Sequence, residues 1–259
     1  MTEGSTVAIG VWGLAASLLL VLVVVGISLF SRLGLERELL VSTVRAVVQL
    51  LIAGWGLTLL LDGDRHIFWA WAWVAAMVLL AGDAARRRER RLPGLAFSTI
   101  LGGVIGLSLS LATVFGLGIF PLEARVLVPV SGMVIGNSLK VVVVAATRLV
   151  DGLRDRSGEV EAMLSLGFKP ARAVRDIVSD SLGLALRPQL ETTRSVGVVF
   201  LPGTLTGLIL AGMEPLDAAL IQASILFLIL GTAAVTGLVV VLVGVRRFLV
   251  GGYLISPFS

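Results

Sequence analysis

The chain has 259 residues, of which 57% are hydrophobic and 15% are charged, and its mean hydropathy is +1.01. A soluble domain of this length carries about 25% charged residues, so the composition indicates an integral membrane protein. The sequence has no cysteine, which excludes disulfides, thiolate metal sites and cysteine nucleophiles. The net charge of +4 does not indicate a nucleic-acid partner, because the arginines lie at the ends of apolar runs.

Apolar runs recur along the chain, each able to cross a hydrocarbon core of roughly 30 Å. We therefore expect an all-α fold, a polytopic helical membrane protein with about seven transmembrane helices in a single domain over residues 1–259. The first run has no basic segment before it, so we expect a retained helix and not a cleaved signal. The predicted spans are 7–30, 39–61, 67–82, 95–119, 126–149, 195–212 and 217–244.

Positive charge is distributed unequally between the segments that connect these spans. Segments 31–38, 83–93 and 150–194, and the tail after the last span, carry most of the arginine and lysine, whereas the alternate segments carry little. Cytoplasmic loops of helical membrane proteins are enriched in these residues. The pattern therefore predicts an inner (plasma) membrane protein with the N-terminus outside and the C-terminus in the cytoplasm.

The longest polar interval, at about 150–194, lies on the predicted cytoplasmic side. Its apolar residues recur at three- and four-residue spacing, which predicts amphipathic helix and argues against a disordered linker. These residues are Val160, Leu164, Gly167, Phe168, Ala171, Val174, Ile177 and Val178.

Polar side chains inside the spans are costly in hydrocarbon and tend to line cavities or pair with one another. Arg45 and Gln49 share a face of the second span. Arg45 either snorkels to the surface or joins Gln49 on a face turned into the bundle. In the fifth span, Asn137, Ser138 and Lys140 lie close together. Asn137 and Lys140 share a face near the midplane, which favours a pathway or an interhelical contact.

Glycine and proline mark two further places in the spans. Gly132 and Gly136 in the fifth span, and Gly203 and Gly207 in the sixth, have the spacing that lets helix backbones approach closely. Pro202 stands in the middle of the sixth span, where it removes a backbone hydrogen bond. A static kink is consistent with this pattern, and so is a hinge or discontinuous helix at a pathway, since irregular backbone at this depth must be satisfied by protein or water.

No catalytic or nucleotide-binding pattern is present in the sequence. The one histidine, His66, falls in a predicted outer loop, no phosphate-binding loop occurs, and no nucleophile–base set can be assembled inside the membrane. An enzyme acting on lipid is therefore disfavoured. A secondary transporter or channel is the alternative to an ATP-driven transporter, but it would need carboxylates that the spans hardly contain.

Four segments carry a resemblance to a known family. They are "RAVVQL" (45–50), "VPVSGMVIGNSL" (128–139), "EAMLSLGFKPARA" (161–173) and "SVGVVFLPGTLTGLILAGMEPLDA" (195–218). With these segments the chain resembles the Fet-B type iron-export permeases of bacterial ABC transporters, which have plant relatives linked to aluminium tolerance. The resemblance implies a homodimeric permease that exports a metal ion. A separate subunit would bind ATP and Mg, this chain would hold no cofactor, and its metal ligands remain unknown.

The resemblance also implies a coupling helix that docks on the ATP-hydrolysing subunit. Such helices carry a Glu-Ala-Ala-x-x-x-Gly pattern, which Glu161, Ala162 and Gly167 match, with Met163 at the third position. The resemblance thus assigns Glu161, Ala162, Leu166 and Gly167 to coupling. It favours Pro202–Gly203 as a hinge.

Lys140 stands where the family is expected to have an uncharged residue. A fixed positive charge beside a cation pathway would repel the cation. Either Lys140 faces away from the pathway, or the substrate is not a bare cation.

Overall fold

A computed structural model describes residues 11–61, 67–250 and 253–254, and these residues are almost entirely helical. The predicted all-α fold is thus confirmed. The predicted outer-loop residue His66 lies outside the described residues. The chain divides into two compact units, Met1–Arg65 and His66–Ser259.

The first unit is a pair of helices, α1 (Val11–Phe30) and α2 (Glu36–Leu61). A polar contact fixes the turn between them. The buried Ser28 hydroxyl donates to the Glu36 carboxylate at 3.0 Å and accepts from the Leu35 backbone N–H at 3.3 Å. The end of α1 is therefore tied to the first residue of α2.

The described part of the second unit contains eight helices and one short hairpin. The helices are α3 (Ile67–Arg88), α4 (Leu95–Gly116), α5 (Ala124–Asp155), α6 (Ser157–Ser165), α7 (Pro170–Ala173), α8 (Arg175–Ser195), α9 (Gly203–Leu210) and α10 (Pro215–Phe248). The hairpin pairs two-residue strands, β1 (Leu249–Val250) and β2 (Tyr253–Leu254), in antiparallel register.

The two longest helices, α5 and α10, run side by side in the same direction. Gly237 of α10 lies against Val141 of α5. About two turns further along both helices, Gly244 lies against Leu149. The absence of side chains at these glycines lets the helices approach closely. α5 and α10 form the centre of the unit, and α4 crosses beside α10 in the opposite direction.

The main core lies toward the carboxyl ends of α5 and α10. Leu149, Val150 and Leu153 of α5 are fully or almost fully buried there, together with Phe248 at the end of α10. α10 itself begins at Pro215, a residue suited to the first helical position because it has no N–H to satisfy.

Five of the described helices, α2, α3, α4, α5 and α10, are long and apolar enough to cross a membrane. These five match predicted spans, so the chain is a multi-pass membrane protein. The first predicted span begins before the described residues, and its described apolar stretch, Ala16–Phe30, is shorter. The sixth predicted span is not one helix. It contains only α9, whose eight residues reach about 12 Å.

The polar interval at 150–194 is helical, as its periodicity predicts. Val160, Val174 and Ile177 face the core and are at most 3% exposed. The interval has two parts: the short helices α6 and α7 form a turn, and α8 then runs back alongside α5. Ile177 near the start of α8 lies against Gly152 near the end of α5, so the two helices are antiparallel.

Candidate functional site

The short helix α6 ends in a turn that requires glycine. Gly167 has a φ of +83°, in the left-handed region that side chains rarely adopt. The Gly167 N–H donates to the Leu164 carbonyl at 3.0 Å, and the Phe168 N–H donates to the Met163 carbonyl at 3.1 Å. This pair of bonds is the Schellman arrangement, which ends a helix sharply and reverses the chain.

The residues predicted to couple are brought together on the outside of this turn. Glu161, Ala162 and Gly167 are exposed, and Leu166 is 77% exposed although it is apolar. Phe168 is also partly exposed, and the Arg172 guanidinium lies 4.9 Å from its ring centre. We call residues 161–168 the α6 turn. Its exposed surface combines the apolar side chains of Leu166 and Phe168 with one carboxylate, that of Glu161.

The inner side of α6 is anchored in the core of the second unit. Val160 is 1% exposed and packs in the cluster that also contains Leu153 of α5 and Ile177 of α8. The backbone of β2 lies next to α6 as well. The α6 turn is therefore attached to α5 and α8 through the buried side chain of Val160.

A non-helical segment, residues 196–202, interrupts the chain's helical structure between α8 and α9, at the position of the predicted hinge. We call this segment the break. Gly197 has a φ of +83°, its N–H donates to the Phe200 carbonyl at 3.0 Å, and Pro202 precedes the first residue of α9, Gly203. The side chain of Thr204 lies 3.9 Å from the Met133 sulfur of α5. The break thus lies beside the first half of α5. Of the alternatives that the sequence left open, the structure has the discontinuous helix.

A cavity of about 270 Å³ opens between α5 and α8, close to this break. Asn137 and Lys140 of α5 line one side, as their shared face predicts, and Gln189 and Thr192 of α8 line the other. Val141, Val144, Ala185 and Pro188 complete the lining. Lys140 is the one charged residue among the lining residues described.

The remaining predicted residues lie elsewhere. Ser138 is buried and donates to the Val134 carbonyl at 2.8 Å, on the side of α5 away from Lys140. Gly136 and Gly207 have no atom within 4 Å of an added Cβ, so neither supports a close helix approach within the chain. Arg45 and Gln49 belong to the first unit, where both are exposed on α2.

An ionic cluster around the buried carboxylate of Glu89 joins the α3–α4 connection to α5. Glu89 is 4% exposed, and its carboxylate accepts from the Arg91 side chain at 2.8 and 3.0 Å and from the Thr147 hydroxyl at 2.9 Å. Arg91 also pairs with Asp151 at 2.7 Å. Burial alone would raise the pKa of Glu89, but the hydrogen bonds from Arg91 and Thr147 outweigh it and hold the pKa below its ordinary value.

Comparison with known proteins gives a consistent assignment. Residues 11–249 match the family described as "Uncharacterised protein family (UPF0014)". The chain belongs to this family. No solved structure matches the chain.

Three relatives from the family illustrate its range. UPF0014 membrane protein YjkA of Bacillus subtilis is 33% identical over 223 residues, covering 86% of this chain and 89% of the relative. Protein ALUMINUM SENSITIVE 3 of Arabidopsis thaliana is 31% identical over 86% of this chain and 82% of its own. The probable iron export permease protein FetB of Escherichia coli is 29% identical over 91% of this chain and 90% of its own. The resemblance noted from the sequence is therefore confirmed.

Two features of this UPF0014 chain were missed by sequence reasoning. The first is a stripe of small residues on α4, namely Ser98, Gly102, Gly106 and Ser110, which packs on α10. Thr232 and Thr236 of α10 donate to the carbonyls of Gly106 and Gly102 at 3.3 and 3.2 Å. We call this contact the α4–α10 seam. Its four-residue spacing is readable in the sequence by the same rule applied to Gly132 and Gly136.

The second missed feature is the α8 wall of the cavity, including Gln189 and Thr192. These residues fall in a polar stretch, which hydropathy alone places outside the spans. Their contact with Asn137 and Lys140 depends on α8 folding back along α5. No local pattern in the sequence encodes that pairing.

Among the described residues, no group of three or more His, Asp and Glu side chains is placed to hold a metal ion. The α6 turn and the α5–α8 cavity are thus the two candidate functional regions. They lie toward the two ends of one helix, α8.

Proposed function

We propose that this protein is the membrane-spanning permease subunit of an ABC transporter in the inner membrane, and that it exports iron or another metal ion. A separate subunit would bind Mg and hydrolyse ATP. Family membership supports the proposal, because a relative named as an iron export permease aligns over nine-tenths of this chain.

The observation that carries the proposal is the α6 turn. A transporter without its own phosphate-binding loop needs a surface on which an ATP-hydrolysing partner can act. The α6 turn exposes Glu161, Leu166 and Gly167 at a sharp, glycine-dependent reversal, while Val160 fixes it to the core. Exposed apolar side chains clustered on a rigid helix end are typical of a docking site.

α8 supplies a route from this docking turn to the membrane region. It is one helix of 21 residues, about 32 Å long. Ile177 near its start is buried beside α6, and Thr192 near its end lines the α5–α8 cavity. Movement of the α6 turn would tilt α8 as a rigid body, and the break at 196–202 would absorb the change.

A second copy of the chain is the partner we propose inside the membrane. Val198, Val199 and Leu201, in the break between α8 and α9, are between 61% and 89% exposed. Non-helical backbone at membrane depth is tolerated only where protein or a water-filled cavity covers it. A homodimer would supply this cover.

The experiment uses the full-length permease in lipid nanodiscs with a separately purified P-loop ATPase, taken from the reading frames beside the permease gene where one of them encodes such a protein. We expect the permease to raise ATP hydrolysis by the partner, and Glu161→Ala and Gly167→Ala to abolish most of that stimulation. Glu159→Gln is the matched control, because it removes a carboxylate from the same helix and breaks only an exposed pair with Arg156. Unchanged stimulation in both Glu161→Ala and Gly167→Ala would refute the coupling role.

A further inference from the structure

We propose that the cavity between α5 and α8 binds an anionic oxygen group, carboxylate or phosphate, carried by the transported species, with Lys140 as the cationic contact. This inference rests on the proposed function and specifies the chemistry of its cargo. The cargo is then a small oxyanion or a metal complex with such an anion as its ligand, and not a bare cation.

Among the described residues, no carboxylate lines the cavity beside Lys140. Lys140 lies on α5 about 24 Å from the start of the helix, and no Asp or Glu occurs in α5 before Asp151. In the half of α8 that lines the cavity, the one carboxylate is Glu191, which already pairs with Arg194 at 2.8 Å. An ammonium group inside a membrane span without a carboxylate partner indicates a functional site by default.

Asn137 and Lys140 lie side by side in the lining of the cavity. The Asn137 amide N–H donates to the Met133 carbonyl at 2.8 Å, so its oxygen is left to face Lys140. The Lys140 ammonium donates to that oxygen at 3.5 Å, which is a long and weak bond. Since an ammonium has three donors, at least two remain for a ligand.

The α8 wall adds polar groups but no competing charge. Gln189 faces the cavity and its side chain has no hydrogen-bond partner in the described part of the chain, so its amide can donate. The Thr192 hydroxyl donates to the Pro188 carbonyl at 2.9 Å, so its one donor is used within α8 and it does not donate to the anion.

Three carbonyls near the carboxyl end of α8 already accept hydrogen bonds from within the chain. Helix ends expose carbonyls that attract cations. Here the Thr192 carbonyl accepts from the Val196 N–H at 3.1 Å, and the Ser195 carbonyl accepts from the Val199 N–H at 2.9 Å. The Glu191 carbonyl accepts from the Ser195 hydroxyl at 2.7 Å. These last-turn acceptors are therefore already engaged.

The lining does not suit a bare metal cation. Its oxygens come from neutral amide and hydroxyl groups, and the Asn137 oxygen is shared with Lys140. A cation in the cavity would approach a positive charge without a carboxylate to offset the repulsion. The volume of about 270 Å³ is close to the lower limit of ligand sites, roughly 300–1,000 Å³, and fits a small anion or complex.

The test is equilibrium binding to the purified full-length chain in nanodiscs, without any ATPase, measured by calorimetry. The probes are inorganic phosphate, citrate, ferric citrate and ferrous ion alone. We expect phosphate or citrate, free or in the ferric complex, to bind the wild type. Lys140→Gln should weaken that binding about tenfold or more, the loss expected for a hydrogen bond to a charged group.

Two variants serve as controls. Lys140→Arg keeps the charge and should retain binding within about threefold. Arg148→Gln removes a cation from the same helix two turns further on, where Arg148 lines a different cavity, and should leave binding unchanged. Gln189→Ala tests the opposite wall without touching the charge, and should weaken binding less than Lys140→Gln does.

The outcomes separate this inference from the proposed function. Comparable anion binding in wild type and Lys140→Gln, no anion binding to the wild type at millimolar concentration, or tighter ferrous binding in Lys140→Gln would each overturn the anion site. Loss of partner ATPase stimulation, with anion binding intact, would instead reject the ABC permease role and leave the site standing.

Discussion

The α4–α10 seam and the α5–α8 face are packed in opposite ways. At the seam, a Cβ added to Gly102 would lie 3.0 Å from the Thr236 carbonyl, and the adjoining cavity holds only about 10 Å³. The α5–α8 face instead borders a cavity of about 270 Å³. The difference indicates that the seam is a rigid, tightly packed joint and that the open space lies at the α5–α8 face.

The contrast also separates two uses of glycine and hydroxyl side chains in a membrane. At the seam, glycine permits backbone contact and threonine bonds across it, so the residues serve helix packing. Beside the α5–α8 face, Gly197 and Gly203 flank a break in the helix and pack against nothing nearby. Small residues alone therefore do not distinguish a tightly packed contact from an open one. The residues that lie opposite them determine which of the two is formed.

The largest expected effect comes from filling the seam. Gly102→Ala places a methyl group about 3 Å from backbone atoms of α10, which cannot rotate away. We expect a loss of about 3 kcal/mol, at the upper end for overpacking, and a poorly folded protein. Thermal unfolding followed by fluorescence-detected size exclusion would measure it.

The adjacent glycine provides the control for this change. Gly103→Ala puts the same methyl group at an ordinary 3.6 Å from Val78 and should be tolerated. If Gly102→Ala and Gly103→Ala unfold at the same temperature, the seam is not the rigid joint described above.

An intermediate effect is expected at Glu89, where the α3–α4 connection meets α5. Glu89→Gln replaces an acceptor-only carboxylate with an amide that cannot satisfy both Arg91 and Thr147, and should cost about 2 kcal/mol at neutral pH. Asp151→Asn, which breaks only the half-exposed pair with Arg91, should cost about 1 kcal/mol or less.

The pH dependence gives a second readout for Glu89. Because the pKa of Glu89 is lower in the folded protein than in the unfolded chain, its stabilising contribution is complete above the unfolded pKa of about 4.3. That contribution is lost as the pH falls through the lower folded pKa. The difference in unfolding temperature between wild type and Glu89→Gln should therefore be constant near pH 7 and shrink below about pH 4.3. A difference that grows at acid pH would contradict this account.

Hydropathy and spacing were sufficient to predict the helical fold, the five membrane-length helices and the helical nature of residues 150–194. The family resemblance grouped Glu161, Ala162, Leu166 and Gly167, and the structure brings them together because a helix ending at glycine is a local feature. Likewise, the shared face of Asn137 and Lys140 follows from helical periodicity alone.

The remaining features depend on contacts between distant parts of the chain. Residues 195–212 are apolar enough to suggest a span, but hydropathy does not detect that Gly197 and Pro202 interrupt the backbone. Similarly, Gln189 becomes part of a cavity only because α8 returns along α5. The α4–α10 seam differs, because its spacing was visible but its partner on α10 was not.

The smallest expected effect tests what holds the seam together. Thr236→Val keeps the shape of the side chain but removes the hydrogen bond to the Gly102 carbonyl, which is 3.2 Å long. Interhelical hydrogen bonds in membranes contribute about 0.6 kcal/mol on average, so the unfolding temperature should fall only slightly.

Thr113→Val is the matched control, because that exposed hydroxyl bonds only to Leu109 of its own helix. If Thr236→Val were as damaging as Gly102→Ala, hydrogen bonding and not backbone packing would be the main cause of the seam's rigidity. A small loss would instead show that the tight contact comes from the missing side chains of Gly102 and Gly106, a feature that the lining of the α5–α8 cavity lacks, since no glycine is among its described residues.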